Sequence, residues 1–412
     1  MKIILTIFLI ILLPTSILIV HHNKQSHIIK KHKPANIKIP VINFWKTKNG
    51  AEIYFVSTNN NNNSIDIQIS FDAGTARDYG KPGLASLVAR ALIPQDNNFT
   101  TADIEKDRVN FKLKLNNNKK NIKNNLLLFN FLKPLNLNIL KNQLLIDLKL
   151  KLEDNTQLAL LHLHKLLYDK HPYANFEFNN EDLENITTND LVNFYNSHYV
   201  ANNCVVTIVG NIKKKQAVSI ANLITSKLKS GNKPAILPNI YPITANANIL
   251  AHKNFNSSHA HIIMGQAVAT PYDKNYFDFI IGNLILANQL KTNSEFLMYN
   301  KPGPFIVSFS ADNSTLDQDI DNIKLILTNF INNGPSTEEF ESAKTRLINY
   351  FPMQFINNNN ILNLVSYIGF YKLPINFLDN YIENLSMVTK ESMLSAWQNR
   401  INPDLMTTVI ID

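Results

Sequence analysis

The first apolar pattern is a run from Ile3 to Val20, interrupted only by Pro14, Thr15 and Ser16, after which the chain turns polar at His21-His22-Asn23-Lys24. The pattern predicts an export signal. The run is long for the apolar segment of a cleaved signal, just long enough to span a bilayer, and no Ala-x-Ala-like site follows it, which favours an uncleaved N-terminal anchor helix. Residues 1–22 are read as signal peptide or membrane anchor and 23–40, which have no periodicity, as a tether. Lysines flank the run on both sides, so they do not set its orientation. The body is expected to be exported, either periplasmic or anchored to the inner membrane facing the periplasm if the source is bacterial.

Regular patterning begins at Val41. Ile53–Val56, and then Ile65, Ile67, Ile69 and Phe71 alternating with Asp66, Gln68 and Ser70, predict two strands of a half-buried antiparallel sheet joined through the Asn59–Asn63 run. A turn at Asp72-Ala73-Gly74-Thr75 precedes a helix from Gly83 to about Leu92. Phe111, Leu113 and Leu115 alternate with lysines and predict a hairpin with Leu126–Phe131, with Lys112, Lys114, Lys119 and Lys120 as a solvated edge. Apolar positions at three and four then predict a long helix from about Asn138 to Lys170, broken near Asp154-Asn155.

An internal repeat sets the architecture. Pro172–Val209 and Pro374–Ile411 align without gaps at an offset of 202 residues, pairing Thr187 with Thr389, Tyr195 with Trp397 and Val209 with Ile411. Each copy predicts a helix ending before the proline, a second helix opened by an N-capping Thr that turns its aromatic residue to the core, and a terminal apolar strand. The fold class is therefore α+β, with two homologous domains (41–230 and 243–412) joined by a linker (231–242), each a mixed or antiparallel sheet with helices packed on one face.

Charge narrows the functions. Of the net +8, the first 40 residues carry +6, which leaves +2 for the body and no basis for a nucleic-acid groove. Cys204 is the only cysteine, so an intrachain disulfide and a Cys-based metal cluster are excluded. The asparagine runs read as loop filler.

Phe71-Asp72-Ala73-Gly74-Thr75-Ala76-Arg77-Asp78, Gly83-Leu84-Ala85, His171-Pro172-Tyr173 and Ile208-Val209-Gly210-Asn211 resemble a half-enzyme of the insulinase/pitrilysin family of zinc metallopeptidases, which carry an inverted zinc motif. Gly334-Pro335-Ser336-Thr337-Glu338-Glu339 and Tyr371-Lys372-Leu373-Pro374 continue the likeness, which runs from about residue 43 to the end. In that family the Gly-Leu-Ala helix continues into His-x-x-Glu-His, whose imidazoles bind zinc while the glutamate activates water. At the corresponding positions stand Ser86, Ala89 and Arg90. A hydroxyl and a permanently protonated guanidinium do not replace an imidazole on zinc, and a methyl group takes no proton from water. The position of the third ligand, six residues before Asp154-Asn155-Thr156, is Leu148; Asp147 beside it is rotated about 100° around the helix and is expected to point elsewhere.

The resemblance thus implies an inactive half of a clamshell, with no catalytic, cofactor or metal site of its own, that pairs with a homologous zinc-bearing subunit to enclose peptide substrates. The alternative is a stand-alone peptide-binding or assembly protein at the membrane surface. Inactive members of such pairs supply an Arg/Tyr pair between positions equivalent to Leu284 and Pro302; only Lys291 and Tyr299 have comparable chemistry, at different spacing. His259 and His261, two apart on a strand, form a possible metal pair or a polar strand face, while His162 and His164 on a helix face different ways. Arg90 needs compensation, for which solvent with local acceptors is expected; a structural ion pair and a peptide carboxylate are the alternatives.

Overall fold

A computed structural model describes residues 38–59, 64–93, 100–116, 136–174, 178–240, 248–251 and 258–412. The apolar run Ile3–Val20, the tether up to residue 37 and the predicted strand Leu126–Phe131 lie outside these residues, as do Lys119 and Lys120. Among the described residues no helix is long and apolar enough to cross a membrane.

The chain begins with strands β1 (Asn43–Lys46), β2 (Glu52–Ser57) and β3 (Ser64–Phe71), then helix α1 (Leu84–Leu92) and strands β4 (Thr100–Ile104) and β5 (Val109–Asn116). Helices α2 (Leu137–Leu152), α3 (Asn155–Tyr168), α4 (Asn180–Glu184) and α5 (Thr188–His198) lead to β6 (Cys204–Gly210) and α6 (Lys214–Thr225). A second series runs β7 (Asn248–Ala251), β8 (His259–Ala269), α7 (Tyr276–Leu290), β9 (Asn293–Phe296) and β10 (Gly303–Asp312). It continues through α8 (Leu316–Asn333), α9 (Thr337–Tyr350), α10 (Asn358–Phe370), α11 (Tyr381–Met387) and α12 (Lys390–Arg400) to β11 (Thr407–Ile411).

Contacts divide the chain into two units. The first comprises Ile39–Tyr241 with Gln354–Asp379, the second Pro242–Met353 with Asn380–Asp412. The first has a six-stranded sheet of order β1-β2-β6-β3-β5-β4 and the second a five-stranded sheet of order β7-β11-β8-β10-β9. The last strand of each enters the sheet between two earlier ones, β6 parallel to β2 and antiparallel to β3, β11 parallel to β7 and antiparallel to β8. This is the duplication expected from the 202-residue repeat.

The repeat's local signals hold because they are local chemistry. Thr187 accepts from the Asp190 N–H and Thr389 from the Ser392 N–H, each closing a capping box. Asp154 caps α3 and breaks the long helix where expected. In the second copy Trp397 is fully buried, and Gly282 lets it pack close: a Cβ there would lie 2.2 Å from the indole nitrogen. In the first copy Tyr195 is only partly buried, and Phe194 and Tyr199 fill the core instead.

Four expectations change. The strands β2 and β3 are not partners, because β6 lies between them. The sheet of the first unit is also not covered on one face only. Helices α1 and α5 pack in one core with Ile65, Ile67, Ile69 and Phe71, while α10 lies on the opposite face, setting Ile361, Leu362 and Val365 against Tyr54, Val56, Val205 and Val209. All of β3 is consequently buried, its polar residues included. Ser70 donates to Asn110 Oδ1 (2.7 Å), as does Gln68 (3.1 Å), and Asn358 of α10 donates to Asp66 (3.0 Å). Finally, β5 is no solvated edge: it is paired on both sides, and Lys112 lies 3.5 Å from Asp103 of β4. The run Asn357–Asn360 is likewise more than filler, since Asn357 caps α10 and Asn358 is buried.

Candidate functional site

The helix that carries Ser86, Ala89 and Arg90 is held firmly at its start. Gly83 precedes it at φ 91°, a conformation that suits glycine, and a Cβ there would meet Leu183 at 2.7 Å. The buried Asp78 carboxylate accepts from the N–H groups of Gly83 (3.0 Å) and Ala85 (2.7 Å) and so satisfies two donors that the helix cannot. Burial pushes Asp78 up to about 7 against the pull of those two N–H groups and of Lys106. Burial also drives Lys106 well below the ordinary lysine range. Arg77 clamps Asp72 through two 2.7 Å hydrogen bonds and donates a third, of 2.7 Å, to the Ala235 carbonyl. The Asp72–Asp78 motif and the Gly-Leu-Ala helix are thus a finished scaffold.

On that scaffold the chemistry is absent. Ser86 and Ala89 are buried, and Arg90 donates from Nη2 to Asp147 of α2. The outcome for Arg90 is therefore the structural ion pair and not solvent with local acceptors, and Asp147 does not point elsewhere. Leu148 is half-buried beside it. The donor set (a hydroxyl, a methyl group, a guanidinium already engaged and an alkyl chain) does not fit zinc.

The other motif residues are structural. His171 donates from Nε2 to the Pro238 carbonyl (3.1 Å) and accepts the Tyr173 N–H at Nδ1 (3.1 Å). Tyr173 donates to Asp107 Oδ1 (2.6 Å), and Tyr371 reaches Oδ2 of the same carboxylate at 3.4 Å. His-Pro-Tyr and Tyr-Lys-Leu-Pro, 198 residues apart at their tyrosines, therefore converge on one buried aspartate in the β4–β5 connection. Arg108 next to it pairs with Glu105 at 2.8 Å and stands over the rings of Phe370 and Tyr371.

The histidine pairs separate. His164 is fully buried, 2.8 Å from the Leu160 carbonyl through Nδ1, and burial pushes it down to about 3, whereas His162 is half-buried. His259 lies opposite Asp312 across β8 and β10, 3.1 Å from its carboxylate, with His261 two positions along. Among the described residues no three His, Cys, Asp or Glu side chains gather as a metal-binding group. Lys291 ends α7 in a left-handed conformation and Tyr299 sits between β9 and β10.

Sequence reasoning missed a groove of about 680 Å³ in the first unit, between the end of α5 and the extended segment after α6. Tyr79, His198, Lys229 and Lys233 line it. Its signal in the sequence is slight: a tyrosine before Gly80, and two lysines in a linker.

Residues 185–347 match the family model described as Peptidase M16 inactive domain. The chain superposes on the peptidase M16 inactive domain from Pseudomonas fluorescens with a TM-score of 0.81 and 23% identity, covering 90% of this chain and 97% of that one. It superposes on a chain of Complex III2 from Candida albicans with a TM-score of 0.77 and 15% identity, covering 90% and 95%. On the periplasmic protease PqqL from Escherichia coli the TM-score is 0.70 and the identity 12%, with 94% of this chain covering 48% of that one. No curated protein sequence matches the chain. By the match over residues 185–347 and by the fold, the chain is similar to inactive, half-length M16 peptidase domains, and Ser86, Ala89 and Arg90 stand where the resemblance places the zinc motif.

Proposed function

We propose that the chain is the non-catalytic partner of a homologous zinc-bearing subunit, and that the two together form a chamber for peptides. The observation that carries this reading is the combination of a complete scaffold with substituted chemistry. Asp78 and Gly83 hold the start of α1 in place, yet its zinc positions are Ser86 and Arg90 and its base position is Ala89. The length agrees, since this chain spans about half of PqqL, a protease whose single chain is twice as long. The partner supplies the metal and the water-activating carboxylate; this chain supplies the opposing wall and part of the peptide-binding surface.

In the same proposal, Ile3–Val20 exports the chain and keeps it at the membrane, with the body in the periplasm or outside the cell. Native purification tests both parts. A second chain of similar size carrying His-x-x-Glu-His should co-purify, and the complex should sediment with membranes and resist salt washing. Recovery of this chain alone would refute the pairing. A mature N-terminus mapped after Val20 would replace the anchor with a cleaved signal.

A further inference from the structure

We infer that the groove between α5 and the segment Lys229–Ala235 binds an extended peptide through a carboxylate, either its C-terminus or an acidic side chain. One wall presents two cations. Lys229 and Lys233 are exposed and, among the described residues, have no acidic partner, and no described acid lines the groove. They belong to a unit with 25 lysines and arginines against 18 acids, whereas the second unit has 9 against 14, so the near neutrality of the body conceals a division. Both the local and the regional field therefore favour an anion.

The same wall offers backbone. From Ser230 to Pro234 the chain is in neither helix nor strand, and the N–H groups of Asn232 and Lys233 make no hydrogen bond among the described residues. Gly231 is tied through its N–H to Asn202 (3.1 Å), and Arg77 holds the Ala235 carbonyl, so the segment is pinned on both sides of those free donors. A pinned, extended segment with free N–H groups is the arrangement that accepts another extended chain.

The opposite wall is set by a strained residue. Tyr79 has φ 49°, a left-handed conformation that a bulky side chain rarely adopts, and its ring is 63% exposed. Its hydroxyl lies 3.1 Å from Nε2 of the buried His198, whose Nδ1 is 3.0 Å from the Phe194 carbonyl. That carbonyl fixes the proton on Nδ1, so Nε2 accepts from the Tyr79 hydroxyl and the hydroxyl oxygen is left to accept from a ligand N–H. The groove's volume exceeds what a single phosphate needs and accommodates several residues of a peptide.

The choice of a peptide as occupant rests on the peptidase-like reading; the choice of an anion rests on the lysines. The test uses the purified full chain and calorimetric titration with an unstructured acidic peptide, its amide-capped Gln-substituted counterpart, and inorganic phosphate. The expected result is binding of the acidic peptide, weakened about fivefold or more by K229Q/K233Q and by neutralising the peptide, with Y79F weakening it further. Both lysines are exposed, so circular dichroism of the variant should be unchanged. No binding, or equal binding by the neutral peptide or the double variant, overturns the inference. Phosphate binding as tightly as the peptide overturns the peptide in favour of a small-anion site. Peptide binding by a chain that purifies without any partner would support the groove while refuting the pairing, so the two failures are distinct.

Discussion

Tyr173→Phe removes one oxygen atom and tests whether the His-Pro-Tyr motif is a structural rivet. Tyr173 is completely buried and donates at 2.6 Å to Asp107, itself 1% exposed. A hydrogen bond to a charged group contributes about 1.5–3 kcal/mol, and a buried carboxylate that loses its better donor retains the desolvation cost. Tyr371 approaches the other oxygen at 3.4 Å, a length at which a hydrogen bond is weak, so it does not compensate. The expected losses are about 2–3 kcal/mol for Tyr173→Phe and about 1 kcal/mol or less for Tyr371→Phe. The two tryptophans allow a clean assay, since Trp45 belongs to the first unit and Trp397 to the second. Urea unfolding followed by Trp45 fluorescence, with Trp397→Phe in every protein compared, reads the first unit without assuming that the whole chain unfolds in one step. A loss below about 1 kcal/mol for Tyr173→Phe, or an equal loss for Tyr371→Phe, would refute the assignment of Asp107 as a charged acceptor that depends on Tyr173.

His164 folds with its proton affinity lowered to about 3 from an ordinary 6.5, so the unfolded chain binds more protons in that window and stability rises with pH across it; His164→Leu should flatten this limb in pH-dependent urea titrations, and an unchanged slope would show the histidine to be solvated. The Arg90–Asp147 pair is partly exposed, at 28% and 43% of the side chains, so a double-mutant cycle should give a coupling of about 0.5–1 kcal/mol that fades in about 1 M salt; a coupling above about 2 kcal/mol would contradict that exposure. The triple variant S86H/A89E/R90H should gain zinc in elemental analysis with Asp147 as the third ligand, and lose it again on adding D147A, while hydrolysing no unstructured peptide without a partner chain. Hydrolysis by the triple variant alone would refute the need for a second half.

What the sequence reveals here is what acts over a few residues. Thr187, Thr389 and Asp154 sit at helix starts because a side-chain oxygen two or three residues before an orphan N–H satisfies it, and nothing distant alters that. The alternation Asp66, Gln68, Ser70 correctly gives a strand but not its surroundings. Period two separates two faces without saying what covers each, and the polar face is covered by α10, whose Asn358 lies 292 residues from Asp66. Asp147 illustrates the same limit in a helix. A rotation of 100° per residue excludes it from the face of Leu148 only for a short partner, and arginine is the long flexible side chain that crosses the difference. The groove was illegible because its lysines look like any other exposed lysines in sequence, while its backbone N–H groups and the left-handed conformation of Tyr79 have no residue-type signature.

The ion pair also explains how this helix pair tolerates the loss of a metal. In the zinc-bearing relatives the resemblance implies, an imidazole on one helix and a carboxylate on another are drawn together by a tetrahedral ion held at about 2.0–2.2 Å from each, so the two protein groups stand roughly 3.4 Å apart. Removing only the metal would leave a carboxylate facing a neutral ring across a gap at which a hydrogen bond is weak. In this chain Arg90 extends across such a gap from α1 and carries its own positive charge to Asp147 on α2, so the cation is covalently part of the helix. Arg90 at a zinc position and Asp147, one residue before the third-ligand position Leu148, thus form a pair between α1 and α2, and Ala89 is a small buried core residue. The link between the two helices is then an ion pair, which holds at any zinc concentration.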